Sequence, residues 1–171
     1  MQIRHSDKND LPAMLAIYER ARVFMTEHGN PRQWGATHWP PEALLLSDIA
    51  RKKSYVCLNE EGEVIGTFFF DSDFDIEPTY RKIEGAWLEE SDFGVVHRLA
   101  SAGSEKGVGA FCLDWAYARC GHLRVDTHGD NTVMQSLLRK LGFRETGVIH
   151  VEEDDDPRIA FEKLPDTAIL R

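Results

Sequence analysis

The spacing of apolar positions predicts elements along most of the chain. Gln2 to His5 reads as a short strand, and Asp7 to Pro12 supplies turn and helix-start residues. From Leu11, apolar side chains recur at Met14, Leu15, Tyr18, Ala21 and Met25, with the Arg22 stem between them, which is one face at the helical period. Gly29-Asn30-Pro31 ends that helix. After a loop holding Trp34, Gly35, His38 and Trp39, Pro41 opens a second helix that carries Leu44, Leu45 and Ile49. Two β-prone runs, Ser54 to Asn59 and Glu63 to Asp71, flank Glu60-Glu61-Gly62 and predict an antiparallel hairpin.

An irregular acidic excursion from Ser72 to Asp92 follows, and its Tyr80, Ile83 and Trp87 favour a packed connection. A strand around Val95, Val96, Leu99 and Ala100 then runs into small residues and the pair Gly107 and Gly109, before a helix with Val108, Phe111, Cys112, Trp115 and Ala116 on its inner face. Leu123 to Asp126 is a further strand. A helix from about Asn131 has the expected buried face Val133, Met134, Leu137, Leu138 and Leu141, and Gly142 closes it. Two last strands, about Glu145 to Val151 and Arg158 to Lys163, flank Glu152 to Asp156, which reads as a solvated hairpin turn rather than a metal site. The order β, α, α, β, β, β, α, β, α, β, β puts a hairpin meander before two crossover helices. That defines an α/β domain with a mixed sheet, not a doubly wound parallel one.

Composition narrows the classes. The 171 residues, 42% hydrophobic and 29% charged, fit one soluble globular domain spanning 1–171. No apolar run approaches the roughly 20 residues that span a bilayer, and a polar N-terminus gives no signal peptide, so no membrane partner is expected and the expected location is cytoplasmic. Cys57, Cys112 and Cys120 lack metal-ligand spacing and read as free thiols of a reducing compartment. A formal charge of −9 argues against nucleic acid as a partner. An acidic field attracts cationic amines, although moderately acidic proteins are common and solubility is the favoured account of the charge.

The glycine pair carries the chemistry. A loop at a helix N-terminus offers unpaired N–H groups and the positive end of the dipole to an anion. A Walker-type loop requires Lys and Ser/Thr where Ala110 and Phe111 stand, and a dinucleotide fingerprint requires a small residue where Cys112 stands. A third pattern, Gln/Arg-x-x-Gly-x-Gly/Ala, is met by Ser104-Glu105-Lys106-Gly107-Val108-Gly109 except at its first position. A second signature, Asn-x-x-Ala-x-x-Leu-Tyr-x-Lys-x-Gly-Phe, is matched at Asn131, Leu137, Lys140, Gly142 and Phe143. Both patterns, in this order and spacing, resemble those of the GNAT N-acetyltransferases, and the resemblance covers the chain from Ile3 to the final hairpin.

The resemblance implies a mixed, mostly antiparallel sheet of about seven strands, splayed between the fourth and fifth, with about four flanking helices. It implies acetyl-CoA as co-substrate. Backbone groups of Leu99, Ala100 and Ser101 would pair with the pantetheine arm, and a strand N–H near Leu99 would polarise the thioester carbonyl. Amides of Ser104, Glu105, Lys106, Gly107, Val108, Gly109 and Ala110 would hold the pyrophosphate, with Asn131 and Lys140 on the helix along the cofactor. Ser104 replaces a long capping side chain, which shifts weight onto Lys106 and the helix terminus. Leu138 stands where family members often carry the Tyr that protonates the leaving thiolate. Val95 and Val96 stand where a family carboxylate base would sit, so the proton acceptor is sought at His97, then at His128 and Asp126, then at Glu84. Each has a plainer role: His97 as a packed strand residue, His128 and Asp126 as helix-start turn residues, Glu84 as a surface charge.

The expected function is transfer of an acetyl group from acetyl-CoA to a primary amine of a small molecule or peptide, through a tetrahedral intermediate. The rival from the same fold is a non-catalytic acyl-CoA-binding module. A histidine metal protein built on His97, His122 and His128 lacks ligand spacing, so no metal site is expected. The resemblance allows a homodimer, but no exposed stripe in the sequence specifies one.

Overall fold

The computed structural model describes residues 1–35, 37–73, 77–151 and 156–165. In chain order its elements are β1 (Gln2–His5), α1 (Leu11–Glu27), α2 (Glu42–Ala50), β2 (Ser54–Leu58), β3 (Val64–Asp71), β4 (Glu84–Gly85), β5 (Gly94–Ser101), α3 (Val108–Cys120), β6 (Leu123–His128), α4 (Thr132–Lys140), β7 (Arg144–His150) and β8 (Pro157–Lys163). The strands form one eight-stranded sheet ordered β1-β2-β3-β5-β6-β8-β7-β4. This is the expected mixed architecture with one more strand, because the excursion contributes the two-residue β4, paired antiparallel to β7. Among the described pairings only β5 with β6 is parallel, and it runs over just Gly94–Leu123 and Val95–Arg124.

The chain divides into two compact units that exchange within β5 and α3. The first comprises Met1–Phe70 and His97–Trp115. Asp7 accepts the Asn9 N–H and Asp10 accepts the Asp7 N–H, so a capped turn leads into α1, where Pro12 costs no hydrogen bond. The inner face of α1 is Met14, Ile17, Tyr18 and Met25, and the first three pack with Leu45 and Ile49 of α2, Val56 of β2 and Ala100 of β5. Each such large side chain removed from water contributes on the order of 1.5–3 kcal/mol. Gly66 in β3 permits a close approach: a Cβ there would lie 2.6 Å from Val108 Cγ1 and 3.3 Å from Cys57 Cβ. The first residue of α3 therefore seats directly on the strand.

The second unit comprises Asp71–Val96 and the chain from Ala116 onward. β6, β8 and β7 pair antiparallel, Arg124 opposite Glu162 and Asp126 opposite Ala160. Strand alternation puts Leu123, Val125 and Thr127 on one side of β6, and Arg124, Asp126 and His128 on the other. The polar side is buried through pairing. Glu162, with no exposure, accepts from Arg124 Nε at 3.0 Å, from His122 Nε2 at 2.6 Å and from the Leu88 N–H. The Arg124 guanidinium lies 4.1 Å from the Trp87 ring centre and 4.0 Å from that of Phe93, and it donates to the Glu89 carbonyl. The excursion is thus pinned by its backbone, as its aromatics suggested.

The buried face of α4 differs from expectation. Val133 is 49% exposed, whereas Gln135 is buried, its amide donating to the carbonyls of His128 and Gly129. Met134, Leu137, Leu138 and Leu141 keep the expected side. Residues 152–155 of the predicted acidic turn lie outside the described residues.

Candidate functional site

In the first unit, β5 runs through exposed Gly103 to Gly107 into α3. Gly103 and Gly107 have φ of +74° and +84°, the left-handed region that glycine enters without strain. The Phe111 N–H returns to the Gly107 carbonyl at 2.9 Å, so Gly107 is the helix cap and the N–H groups of Val108, Gly109 and Ala110 have no partner within the helix. A Cβ at Gly107 would meet nothing within 4 Å. Ser104, Glu105 and Lys106 are exposed on this loop, Val108 is buried, and Gly109 and Ala110 are half-buried. The arrangement has the chemistry of a pyrophosphate cradle: amide donors at a dipole end, backbone open to solvent, one lysine in reach.

Upstream lies a feature that sequence reasoning missed. Arg98, in the middle of β5, has φ of +54°. A non-glycine residue there costs on the order of 1–3 kcal/mol and persists only when its surroundings impose it. They do so three times. The Arg98 guanidinium donates to Asp48 Oδ2 at 2.6 Å, its planar head lies 4.7 Å from the Phe69 ring centre, and its carbonyl accepts the Tyr18 hydroxyl at 2.9 Å. Strand alternation resets at this point: Val95 and Val96 are both buried, and His97, Arg98 and Leu99 are all half-buried before buried Ala100 and half-buried Ser101. The His97 ring lies 5.8 Å from that of Phe69. The structure therefore brings His97, Leu99, Ala100, Ser101 and the loop to Ala110 together on one continuous strand–loop–helix track.

In the second unit, Asp126 is half-buried and accepts the Tyr80 hydroxyl at 2.7 Å. Tyr80 is itself fully enclosed, and burial, reinforced by the Asp126 charge, pushes its phenol well above the ordinary value, so it remains a donor. Trp87 donates to the Tyr80 carbonyl at 2.8 Å and so braces the ring. His128 is buried at the end of β6. Its Nδ1 accepts the Asp130 N–H at 3.0 Å, so the ring proton belongs to Nε2, which faces Asp156 Oδ2 at 3.1 Å. Asn131 caps α4, its side-chain oxygen accepting the Met134 N–H at 3.1 Å, and its own N–H reaches the His128 carbonyl. Lys140 is exposed in the last turn of α4. Glu84 is an exposed partner of His150, and Leu138 is fully buried.

No protein-family model matches the chain, and no curated protein matches it. Solved structures do. A GNAT-family acetyltransferase from Streptococcus agalactiae is 24% identical and superposes with a TM-score of 0.86 over 96% of this chain and 95% of its own. A GNAT-family acetyltransferase from Listeria monocytogenes is 12% identical, with a TM-score of 0.69 over 95% and 93%. A ribosomal-protein-alanine N-acetyltransferase from Brucella melitensis is 21% identical, with a TM-score of 0.58 over 96% and 99%. The chain has the fold of the GNAT acetyltransferases. Among its described residues, no helix is long and apolar enough to cross a membrane.

Proposed function

We propose that this chain transfers the acetyl group of acetyl-CoA to a primary amine of a small molecule or peptide. One observation carries the reading: a left-handed residue in β5 is followed, without a break, by a glycine loop and an open helix N-terminus. A fold alone does not specify chemistry. This track does supply the two things an acyl-CoA needs, a pyrophosphate cradle and a strand whose backbone direction is broken beside it.

Acetyl-CoA supplies an activated carbonyl. The chain's residues do the rest. The amides from Ser104 to Ala110 hold the pyrophosphate, Leu99 to Ser101 pair with the pantetheine arm, and the Leu99 N–H donates to the carbonyl oxygen as negative charge develops there. The resemblance adds Asn131 and Lys140 of α4 to the coenzyme residues. Asp126, whose half-buried carboxylate is held by Tyr80, is the acceptor that the second unit offers for the ammonium proton. His97 is the alternative acceptor. His128, whose Nδ1 is already engaged with a backbone donor, orders the start of α4 around Asp126. Leu138 offers no proton to the leaving thiolate, which departs unaided, as a thiol of pKa about 8.5 can.

Equilibrium dialysis with acetyl-CoA followed by a thiol-release screen over primary amines tests the reading. Binding with release from at least one amine is expected. Binding without release identifies a non-catalytic acyl-CoA module, and no binding at high micromolar concentration overturns the proposal. His97→Ala retaining full turnover across pH leaves Asp126 as the acceptor.

A further inference from the structure

We infer that Tyr18 and Asp48 are positioning residues which aim the Leu99 amide at the reacting carbonyl. The inference rests on the acetyltransferase reading above and deepens it. The peptide joining Arg98 to Leu99 is planar and trans, the only cis bond among the described residues being Trp39-Pro40. In a trans peptide the C=O and the N–H of one plane point in opposite directions. Fixing the Arg98 carbonyl therefore fixes the Leu99 N–H, and the group that fixes it is the Tyr18 hydroxyl at 2.9 Å. A carbonyl can only accept, so Tyr18 must donate.

Tyr18 is 1% exposed and sits on α1, two turns before the helix ends. The Leu99 N–H is thus driven to the side away from α1. Burial pushes the Tyr18 phenol up to about 12, with Arg98, Thr67 and Asp48 as its polar neighbours, so the donor stays protonated in any working buffer. The Trp34 ring meets it edge-on at 5.7 Å and limits its swing.

Asp48 does the second half. Arginine does not choose a left-handed backbone, and the Arg98 head is held by Asp48 Oδ2 and by the face of Phe69. Asp48 is itself 1% exposed, and Arg51 Nη2 holds its other oxygen at 2.6 Å. Side chain and carbonyl of one residue are thus clamped from two helices, α1 through Tyr18 and α2 through Asp48.

The test reads the carbonyl directly. The protein is saturated with acetyl-CoA carrying carbon-13 at its carbonyl, and the infrared stretch of that bond is measured against free acetyl-CoA. The wild type is expected to show a band at lower frequency than the free thioester. In Tyr18→Phe and Asp48→Asn the band is expected to return toward the free position, while the dissociation constant for acetyl-CoA changes by less than about three-fold. With an amine found by thiol release, kcat falls on the order of ten- to a hundred-fold and the KM for acetyl-CoA holds. If Tyr18→Phe fails to fold, Asp48→Asn carries the same measurement. Variants that bind acetyl-CoA with the wild-type band overturn the inference, as does a wild type whose bound band sits at the free position. A wild type that does not bind acetyl-CoA overturns the acetyltransferase reading itself.

Discussion

Each compact unit buries a carboxylate against an arginine, and the two are used differently. In the first, Asp48 holds Arg98 while Tyr18 holds the same residue's carbonyl, so the interactions converge on one strained peptide. In the second, Glu162 gathers Arg124, His122 and the Leu88 N–H, so the interactions spread across β6, β8 and the excursion. The Glu162 cluster fixes where a long connection lies. The Asp48 cluster fixes which way one amide points. Buried ion pairs are poor sources of net stability, but removing one partner is costly because the other is left uncompensated. That cost is expected as lost stability at Glu162 and chiefly as altered chemistry at Asp48.

Four substitutions sharpen the contrast. Glu162→Gln leaves Arg124 and His122 without their anion and is expected to cost about 3–5 kcal/mol in urea unfolding. Turnover per folded molecule should survive, and a large fall in it would break the comparison. The same variant carries a pH signature. Burial opposes ionisation of Glu162, but His122, the Leu88 amide and Arg124 outweigh it, so its carboxyl lies below the usual range. Its contribution is therefore complete above the unfolded value of about 4.3 and is lost as pH falls through the lower folded value. Melting curves of wild type and Glu162→Gln should converge in that acid window and stay apart at neutrality.

Asp48→Asn is expected to cost less, about 2 kcal/mol, because Arg51 is half-exposed and rehydrates. Its kinetic loss should exceed anything its melting temperature implies. Gly66→Ala crowds Val108 and should cost about 1–2 kcal/mol with weaker acetyl-CoA binding, measured by calorimetry, since the first turn of α3 must move. Val133→Ser, on the exposed side of α4, is expected to stay within about 0.5 kcal/mol of wild type by thermal melting.

Much of the fold could be read from local pattern. The period of α1, the Glu60-Glu61-Gly62 turn, the cap at Asn131 and the glycine loop are all set by residues within a few positions of one another. What escaped was non-local. Arg98 carries no sign of a left-handed backbone; that conformation is imposed by Tyr18, 80 positions away, and Asp48, 50 away. β4 is two residues long, too short for alternation, and depends on close backbone contact at Gly85 and Gly147, where a Cβ would lie 2.4 Å from a facing carbonyl. On α4 the expected face fails only at Val133, which is exposed, while Gln135 is buried because its amide bonds two carbonyls, which apolar spacing does not signal. The anion loop was therefore legible as a motif, whereas the pairing of Tyr80 with Asp126 could not be seen before the excursion was folded.

The depth at which Tyr18 is buried has a consequence for how the chemistry is observed. A donor that keeps its proton to about pH 12 adds no inflection to a rate profile taken between pH 5 and 10. Any inflection found there belongs to a group other than Tyr18. A titration of turnover is thus silent about the residue that aims the Leu99 amide, and the infrared band remains the observable that reads it.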